Sequence, residues 1–457
     1  MNKNLTATFI HDNLSFEQAA TRYEHRRRDF LKKCKHLCVI SGVRHSLEQQ
    51  NFWLLCDYPL FQDPSLLYLT GLNQEKVALI FNPFTSKICL ALPEYNEKKV
   101  FWDGHFLGYS QDNVDAIKKA FKYDDVIDYA SLFEYLEQEL YLSNCSKIAT
   151  IWNEDKSQNN QLHDFQFYFK EDLSTFIKSL DKTYQLENYS HNMNSRLCLD
   201  DVDINNAKQA NECANSAFKI TCENLHTCSS ETDVAGFLKG SIYKQCPLGQ
   251  SFPAIIASEK NAAILHYKKN DAPLVKNSLL LLDFGCRLHN VVSDISRTIP
   301  VNGTFNPLQA LLYTIVLDAQ KEVESLVKVG CSIDDLNTRC WEFIESELNK
   351  KVTNQNGIMK RAYKTQPHNV GHLIGHCVHD GDPFRLYRNQ PLKEGMIISN
   401  EPGIYGYFEL EINGQLYQEH CGIRIEDNLL VQKNGCINLS SMIPKEIPAI
   451  EALISKH

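Results

Sequence analysis

Short apolar runs alternate with helical patterns in the first half of the chain. A capping box at Ser15 and Gln18 opens a helix predicted to end near Lys33, and we interpret its basic run at residues 26–28 as a solvated face. Alternating elements of this kind predict an α/β domain. A polar, irregular segment at 182–195 follows, so residues 1–190 are assigned to this domain. Further helices are predicted at residues 114–121 and 132–140, and strands at 36–41, 77–81, 88–92 and 148–152.

Longer helical patterns dominate the second half, which we assign to a second domain at residues 191–457. Asp200 caps one helix, and Ser230 caps another that ends near residue 245. Asn306-Pro307 opens a third helix, and Ser332 opens a fourth. Strands are predicted at 251–258, 264–267 and within 278–298.

The stretch at 278–298 predicts two adjacent strands joined by a loop near residues 287–290. Each strand delivers one carboxylate, Asp283 or Asp294, to the same region. Buried carboxylates repel each other, so a proton, an arginine or a metal ion must neutralise them. Taken alone, this pair is better interpreted as two unrelated aspartates. The stretches nearer the C-terminus reverse that interpretation.

Histidines and glutamates crowd the C-terminal stretches. Residues 368–380 contain His368, His372, His376 and His379 in a glycine-rich segment that predicts a turn or loop and lacks the HExxH pattern. Glu401 stands at a predicted strand end before Pro-Gly. Arg424 and Glu426 are predicted to share one face of a strand.

Two aspartates, two glutamates and one histidine of the cluster make a ligand set dominated by oxygen. Four carboxylates carry about four negative charges, which two divalent cations would balance. Oxygen-rich ligation favours manganese over a thiolate-type zinc site.

Composition and charge narrow the class of protein. The 457 residues carry a net charge of -9, which argues against nucleic acid as a partner. The 16 cysteines form no CxxC pair, and residues 1–18 lack a signal-peptide core, so we expect a cytoplasmic protein with reduced thiols. No apolar run is long enough to cross a membrane.

The motifs resemble those of Xaa-Pro aminopeptidase (aminopeptidase P), one of the pita-bread metallopeptidases. The matching segments are Asp283-Phe-Gly, Ser293-Asp294-Ile-Ser-Arg-Thr298, the cluster of His368, His372 and His379, Glu401-Pro-Gly and Arg424-Ile-Glu426-Asp. The N-terminal likeness rests on residues 23–28, 68–72 and Trp102-Asp-Gly, which we interpret as a turn around a packed tryptophan. The resemblance implies an α/β N-terminal domain followed by an α+β pita-bread (creatinase/aminopeptidase-like) catalytic domain.

The resemblance also implies roles for single residues. Asp283, Asp294, His372, Glu401 and Glu426 would ligate two divalent metal ions, with Asp294 and Glu426 bridging them. Glu401, His379, His266 and Arg424 would be catalytic, and His266, His368 and His379 would bind substrate. His376 stands where the family has an aliphatic residue. We interpret it as a packed side chain.

The implied reaction is hydrolysis of the bond between an N-terminal residue and a following proline. The substrates would be peptides with proline in the second position, and we expect a homo-oligomer, dimer or tetramer. The nearest alternative is a prolidase, which cleaves only dipeptides and needs a cation such as Arg385 or Arg388 for the substrate carboxylate. A non-catalytic pita-bread binding protein is the second alternative, although such proteins have lost ligands that are present here.

Overall fold

The chain divides into two compact units, Met1–Arg196 and Leu197–His457. The computed structural model describes residues 8–43, 62–152, 165–381 and 387–454. The sequence analysis placed the division after residue 190, and that domain boundary stays a prediction. No helix in the described ranges combines the length and the apolar character that a membrane crossing requires.

Unit 1 is a mixed α/β structure around one sheet. Its strands lie in the order β4-β3-β2-β1-β5-β6, with β1–β2 and β2–β3 antiparallel and the other pairs parallel. Separate apolar cores lie on the two faces of this sheet. The elements are α1 Phe16–Lys33, β1 Leu37–Ser41, α2 Pro64–Thr70, β2 Ala78–Asn82, β3 Lys87–Leu92, α3 Glu97–Asp103, α4 Val114–Phe121, β4 Asp125–Asp128, α5 Leu132–Ser143, β5 Lys147–Thr150, α6 Phe165–Lys178 and β6 Gln185–Asn188.

Two local predictions in unit 1 were wrong. Arg27 is not on a solvated face, because it is 1% exposed and donates to the carbonyl oxygens of Leu69 and Phe121. Trp102 is not packed inside a turn, because it lies on α3 and is 70% exposed. In both cases tertiary contacts, which local patterns do not encode, decided the outcome.

Unit 2 combines four long helices with several small antiparallel sheets. The strand orders are β11-β8-β7, β10-β9, β12-β15-β16 and β13-β14-β17-β18 in the described ranges. The elements are α7 Asp201–Glu223, α8 Glu231–Gln245, β7 Ile255–Ser258, β8 Leu279–Phe284, β9 Arg287–Leu288, β10 Val291–Val292, β11 Ile295–Pro300, α9 Pro307–Leu326, α10 Ile333–Lys351, β12 Ile358–Arg361, β13 Leu373–Ile374, β14 Ile397–Asn400, β15 Gly403–Ile412, β16 Gln415–Arg424, β17 Asp427–Gln432, β18 Gly435–Asn438 and α11 Ile447–Ile454.

Helices and sheets of unit 2 share one apolar core. Phe218 of α7, Phe284 of β8 and Phe408 of β15 are all fully buried in it. The rings of Phe218 and Phe284 stack with centroids 6.3 Å apart. This core fixes β8, which carries Asp283.

One predicted strand of unit 2 is absent. Residues 264–267 form a turn after a 3₁₀ segment, Glu259–Ala263, so His266 does not lie at a strand end. The predicted strand at 251–258 is shorter and begins at Ile255.

Candidate metal centre

The two aspartates of the central stretch lie close to each other in unit 2. Asp283 on β8 pairs with Ser296 of β11 in an antiparallel register, and Asp294 immediately precedes β11. Gly285 permits a close backbone approach, since a Cβ there would collide with the Ser293 carbonyl oxygen. The predicted pair of adjacent strands is confirmed as β8 and β11, but the connection is longer than the predicted loop, because it contains the β9–β10 hairpin and the partner strand begins only at Ile295.

Asp294, His372 and Glu426 bring three candidate ligand atoms together. One atom from each residue lies within 4.8 Å of the other two, and His372 Nε2 is 3.6 Å from Asp294 Oδ2. Two carboxylate oxygens and an imidazole nitrogen are suitable donors for one divalent cation.

Glu401 extends this group from the end of β14. Its Oε1 lies 3.4 Å from His372 Nε2. The Ser399 hydroxyl links the two residues, because it accepts from the His372 backbone N–H at 2.9 Å and donates to Glu401 Oε1 at 3.3 Å. The predicted strand end before Pro-Gly is confirmed, since β14 ends at Asn400.

Arg424 supplies a counter-charge to Asp283. Its Nη2 lies 2.5 Å from Asp283 Oδ2, its Nε donates to the Ser296 hydroxyl, and its Nη1 donates to the Tyr405 hydroxyl. The guanidinium is thereby held in place on three sides. Asp283 is neutralised by an arginine at one of its two oxygens.

The prediction that Arg424 and Glu426 share one strand face was wrong. β16 ends at Arg424, and Glu426 lies in the short connection to β17. Ser296 brings both side chains to the site, because its hydroxyl donates to Glu426 Oε2 at 3.0 Å and accepts from Arg424.

Burial and mutual repulsion govern ionisation at this site. Burial raises the pKa of Asp294 well above its usual value, and the nearby Asp283 carboxylate adds to the shift. Burial likewise raises the pKa of Glu426, and Asp294 adds to it. Burial lowers the pKa of His372 well below its usual value, so its imidazole is neutral and able to ligate a metal.

Two buried carboxylate oxygens indicate whether the site suits a metal ion. Asp283 Oδ1 and Glu426 Oε1 are buried, and neither has a hydrogen-bond partner in the described part of the chain. A buried acceptor without a donor is costly, and a cation at this place would remove the cost. The donor set therefore fits divalent metal ions.

The predicted histidines occupy different positions around the group. His368 is near it, with Nδ1 3.8 Å from Glu401 Oε2 and Nε2 2.8 Å from the Tyr405 hydroxyl. Burial, together with Arg424, lowers the pKa of His368 to about 3.

His379 and His376 differ in their surroundings. His379 is exposed, and its ring centroid lies 4.2 Å from that of His372. His376 is 2% exposed, with Nδ1 2.7 Å from the Asn290 carbonyl oxygen and Nε2 3.6 Å from Asp203. Of these two histidines, His379 packs against the candidate ligand His372, whereas His376 is held by the Asn290 carbonyl and Asp203.

Sequence reasoning assigned no role to four residues that hold the site. Ser296, Ser399 and Tyr405 position its charged side chains, and Arg297 donates to the Glu426 backbone carbonyl at 2.6 Å. Ser296 and Arg297 lie inside the quoted 293–298 motif, and that position beside Asp294 is the signal that could have found them.

The fold and this group of carboxylates, which lie on β8 and at the ends of neighbouring strands, define a candidate divalent-metal site. The comparisons give the family, because residues 205–433 match the model of metallopeptidase family M24. The chain belongs to this family. Residues 23–149 match the aminopeptidase P N-terminal domain, so the predicted order of an α/β domain and a pita-bread catalytic domain is confirmed.

Relatives cover most of the chain. The mitochondrial intermediate cleaving peptidase 55 of Arabidopsis thaliana is 30% identical over 88% of this chain and 76% of its own length. The Xaa-Pro aminopeptidase of Haemophilus influenzae is 28% identical over 88% of this chain and 90% of its own.

Solved structures support the fold. A variant of Escherichia coli aminopeptidase P superposes with a TM-score of 0.77 and 23% identity, over 95% of this chain and 98% of that one. Pseudomonas aeruginosa aminopeptidase PepP gives a TM-score of 0.78 at 22% identity with the same coverage.

Proposed function

We propose that this chain is a metal-dependent aminopeptidase that hydrolyses the bond between an N-terminal residue and a following proline. The observation that carries the proposal is the close group of Asp283, Asp294, His372, Glu401 and Glu426, in which two buried carboxylate oxygens have no donor in the described part of the chain. The kinship with Xaa-Pro aminopeptidases supports the choice of substrate.

These five residues would hold two divalent ions, and manganese is the metal we propose. Asp294 and Glu426 would be shared between the ions. When bound, such ions lower the pKa of water and polarise carbonyl groups. The charge of the four carboxylates supports the proposed number of ions, and their oxygen-rich chemistry supports manganese.

The proton and hydrogen-bond steps fall to side chains of this chain. Glu401 takes the proton of the attacking water and delivers it to the departing proline nitrogen. His379 donates a hydrogen bond to the scissile carbonyl oxygen as negative charge develops there. His266 and His368 shape the proline pocket, while Arg424 pairs with Asp283 and fixes its orientation.

The prolidase alternative depends on a cation near the site. The Arg388 guanidinium lies 3.1 and 3.0 Å from the Asn369 side-chain oxygen in its preferred amide orientation, and Asn369 adjoins His368. Arg385 lies outside the described residues. Arg388 is thus engaged by a neighbouring amide, which favours the aminopeptidase.

Peptide length decides between these two activities. Manganese-loaded full-length protein should cleave Xaa-Pro-Xaa peptides with kcat/KM at least about tenfold above that for Xaa-Pro dipeptides. Matched Xaa-Ala-Xaa peptides are the control. Cleavage of dipeptides alone would establish a prolidase, and equal cleavage of the alanine peptides would remove the proline specificity.

We also propose a cytoplasmic homo-oligomer, a dimer or a tetramer. The Arabidopsis relative is named as mitochondrial, so cell fractionation of the native protein is the direct measurement. Light scattering during size-exclusion chromatography measures the oligomeric state.

A further inference from the structure

A cavity of about 660 Å³ opens beside the candidate metal centre in unit 2. It is lined by residues 258–261, by Ile264 and His266, and by most of 267–275. Its volume lies within the usual range of ligand sites, about 300–1,000 Å³. His266, which the proposed function places in the proline pocket, is one of its lining residues.

The cavity wall is fixed to the candidate metal centre by close packing. A Cβ at Gly422 would collide with the Ala262 carbonyl oxygen, so the 3₁₀ segment Glu259–Ala263 lies directly on β16. Ala262 and Tyr267 share a buried apolar cluster with Tyr405. The Tyr405 hydroxyl in turn accepts from Arg424, which also donates to Asp283.

Three exposed lysines line this cavity: Lys260, Lys268 and Lys269. None of them has an ion-pair partner in the described ranges. The cavity also has two acidic residues on its lining. One of these is Asp271, whose Oδ1 is 3.3 Å from the Tyr267 hydroxyl. The other is Glu259, which lies close enough to Glu419 to raise the pKa of the Glu419 carboxyl.

The segment that carries Lys268 and Lys269 is held on both sides. Before it, the Tyr267 hydroxyl donates to Glu231, a fully buried carboxylate that also accepts from the backbone N–H groups of Ser258 and Ala272. After it, the Asn270 side chain is bonded to the backbone at the start of β7. It donates to the Ala254 carbonyl and accepts from the Ile256 N–H. The two ammonium groups therefore project from a fixed backbone.

We propose that this lysine-lined cavity binds a carboxylate of the peptide substrate downstream of the scissile bond. The carboxylate comes either from the C-terminus or from an acidic side chain. This inference rests on the proposed function, since His266 would direct the peptide from the proline pocket into the cavity. It makes Lys260, Lys268 and Lys269 specificity-determining residues for longer peptides.

Four tetrapeptides of the form Xaa-Pro-Xaa-Xaa test the inference on metal-loaded full-length protein. One has a free C-terminus, and three are amidated with a neutral residue, glutamate or lysine in the last position. The free-acid and glutamate peptides should exceed the neutral amide in kcat/KM by about two- to fivefold, the scale that exposed ion pairs supply. The lysine peptide should fall below it.

The source of the carboxylate and the location of the site have separate readouts. A preference for the free acid without one for glutamate identifies the C-terminus. The preferences should appear in KM and weaken with added salt. They should disappear in a Lys268→Gln/Lys269→Gln double variant and decrease in Lys260→Gln. Lys433→Gln, an exposed lysine on the β17–β18 turn, is the matched control and should keep them.

Each remaining outcome overturns a defined part of the argument. Equal kcat/KM for all four peptides in an active enzyme overturns the carboxylate site and leaves the proposed function standing. Preferences that persist in every lysine variant overturn its assignment to this cavity. Failure to cleave any of the four peptides overturns the proposed function and this inference with it.

Discussion

Glu426 and Asp427 are consecutive, both buried, and yet lie in opposite electrostatic surroundings. Glu426 faces the carboxylates of the candidate metal centre, and burial followed by Asp294 raises its pKa. Asp427 is also buried, which by itself would raise its pKa, but Arg297 and then Lys445 lower the pKa below its usual value. Their nitrogens lie 2.7 and 2.6 Å from its two oxygens.

The difference separates a structural charge cluster from a functional one. In the Arg297–Asp427–Lys445 cluster, the carboxylate is paired with two of the protein's own cations. This cluster therefore needs no ligand. The candidate metal centre has one arginine for four carboxylates, and two of its buried oxygens have no donor in the described part of the chain. Arg297 joins the two regions, because it also donates to the Glu426 carbonyl.

Removing a ligand should have the largest effect. We expect Asp283→Asn or His372→Ala to reduce turnover by at least about 10³-fold. Metal affinity should fall by more than the roughly 10–100-fold that is lost when a residue bonded to a metal ligand is mutated. Activity and metal content per chain are the measurements. Glu322→Gln, on an exposed pair with Arg339, is the control. A near-normal rate with full metal content in either variant would contradict the ligand assignment.

Breaking the balanced cluster should reduce stability instead. Asp427→Asn leaves Arg297 and Lys445 without a buried counter-charge, and we expect a loss of about 3–5 kcal/mol in the free energy of unfolding. Denaturant titration measures it. Glu322→Gln should cost less than about 1 kcal/mol, because its ion pair is exposed. Equal losses in the two variants would show that burial does not distinguish the pairs.

A third buried carboxylate gives an intermediate case. Glu419 is 6% exposed and accepts from the neutral amide of Gln309 at 2.9 Å. Burial raises its pKa to about 7, so the stability that its protonated form contributes is complete below pH 4.5 and is lost as the pH rises through 7. At pH 8 the charged form costs about 3 kcal/mol, at ~1.4 kcal/mol per pH unit.

Glu419→Gln should remove that pH dependence. Relative to the wild type, the variant should gain up to about 3 kcal/mol of unfolding free energy between pH 5 and pH 8. Denaturant titrations at the two pH values measure the change. Asp335→Asn, which alters a carboxylate in the first turn of α10 that is bonded to the Ser332 hydroxyl, is the control. Parallel stability curves for Glu419→Gln and the wild type would refute the assignment.

Local sequence patterns located the candidate ligands in the fold, but not the residues that hold them. Asp283, Glu401 and their strands could be placed because apolar runs and Pro-Gly signals are local. The bonds from Ser296 to Arg424 and from Ser399 to His372 join segments far apart in the chain, and no local pattern encodes them. The same limit explains why Arg27 was expected on a solvated face although it is buried.

The smallest expected effect distinguishes the histidines of one loop. His379 contacts His372 and is exposed, whereas His376 is buried against the Asn290 carbonyl and Asp203. His379→Ala should lower kcat by about 10²-fold, since a donor to the developing oxyanion acts mainly in the transition state. His266→Ala should also lower kcat, with metal content retained in both variants.

His376→Leu should leave kcat/KM within a few-fold, because an aliphatic side chain fills a similar buried volume. The lost hydrogen bond should lower the free energy of unfolding by about 1 kcal/mol. If His376→Leu inactivates the enzyme and His379→Ala does not, the assignment of these histidines is wrong.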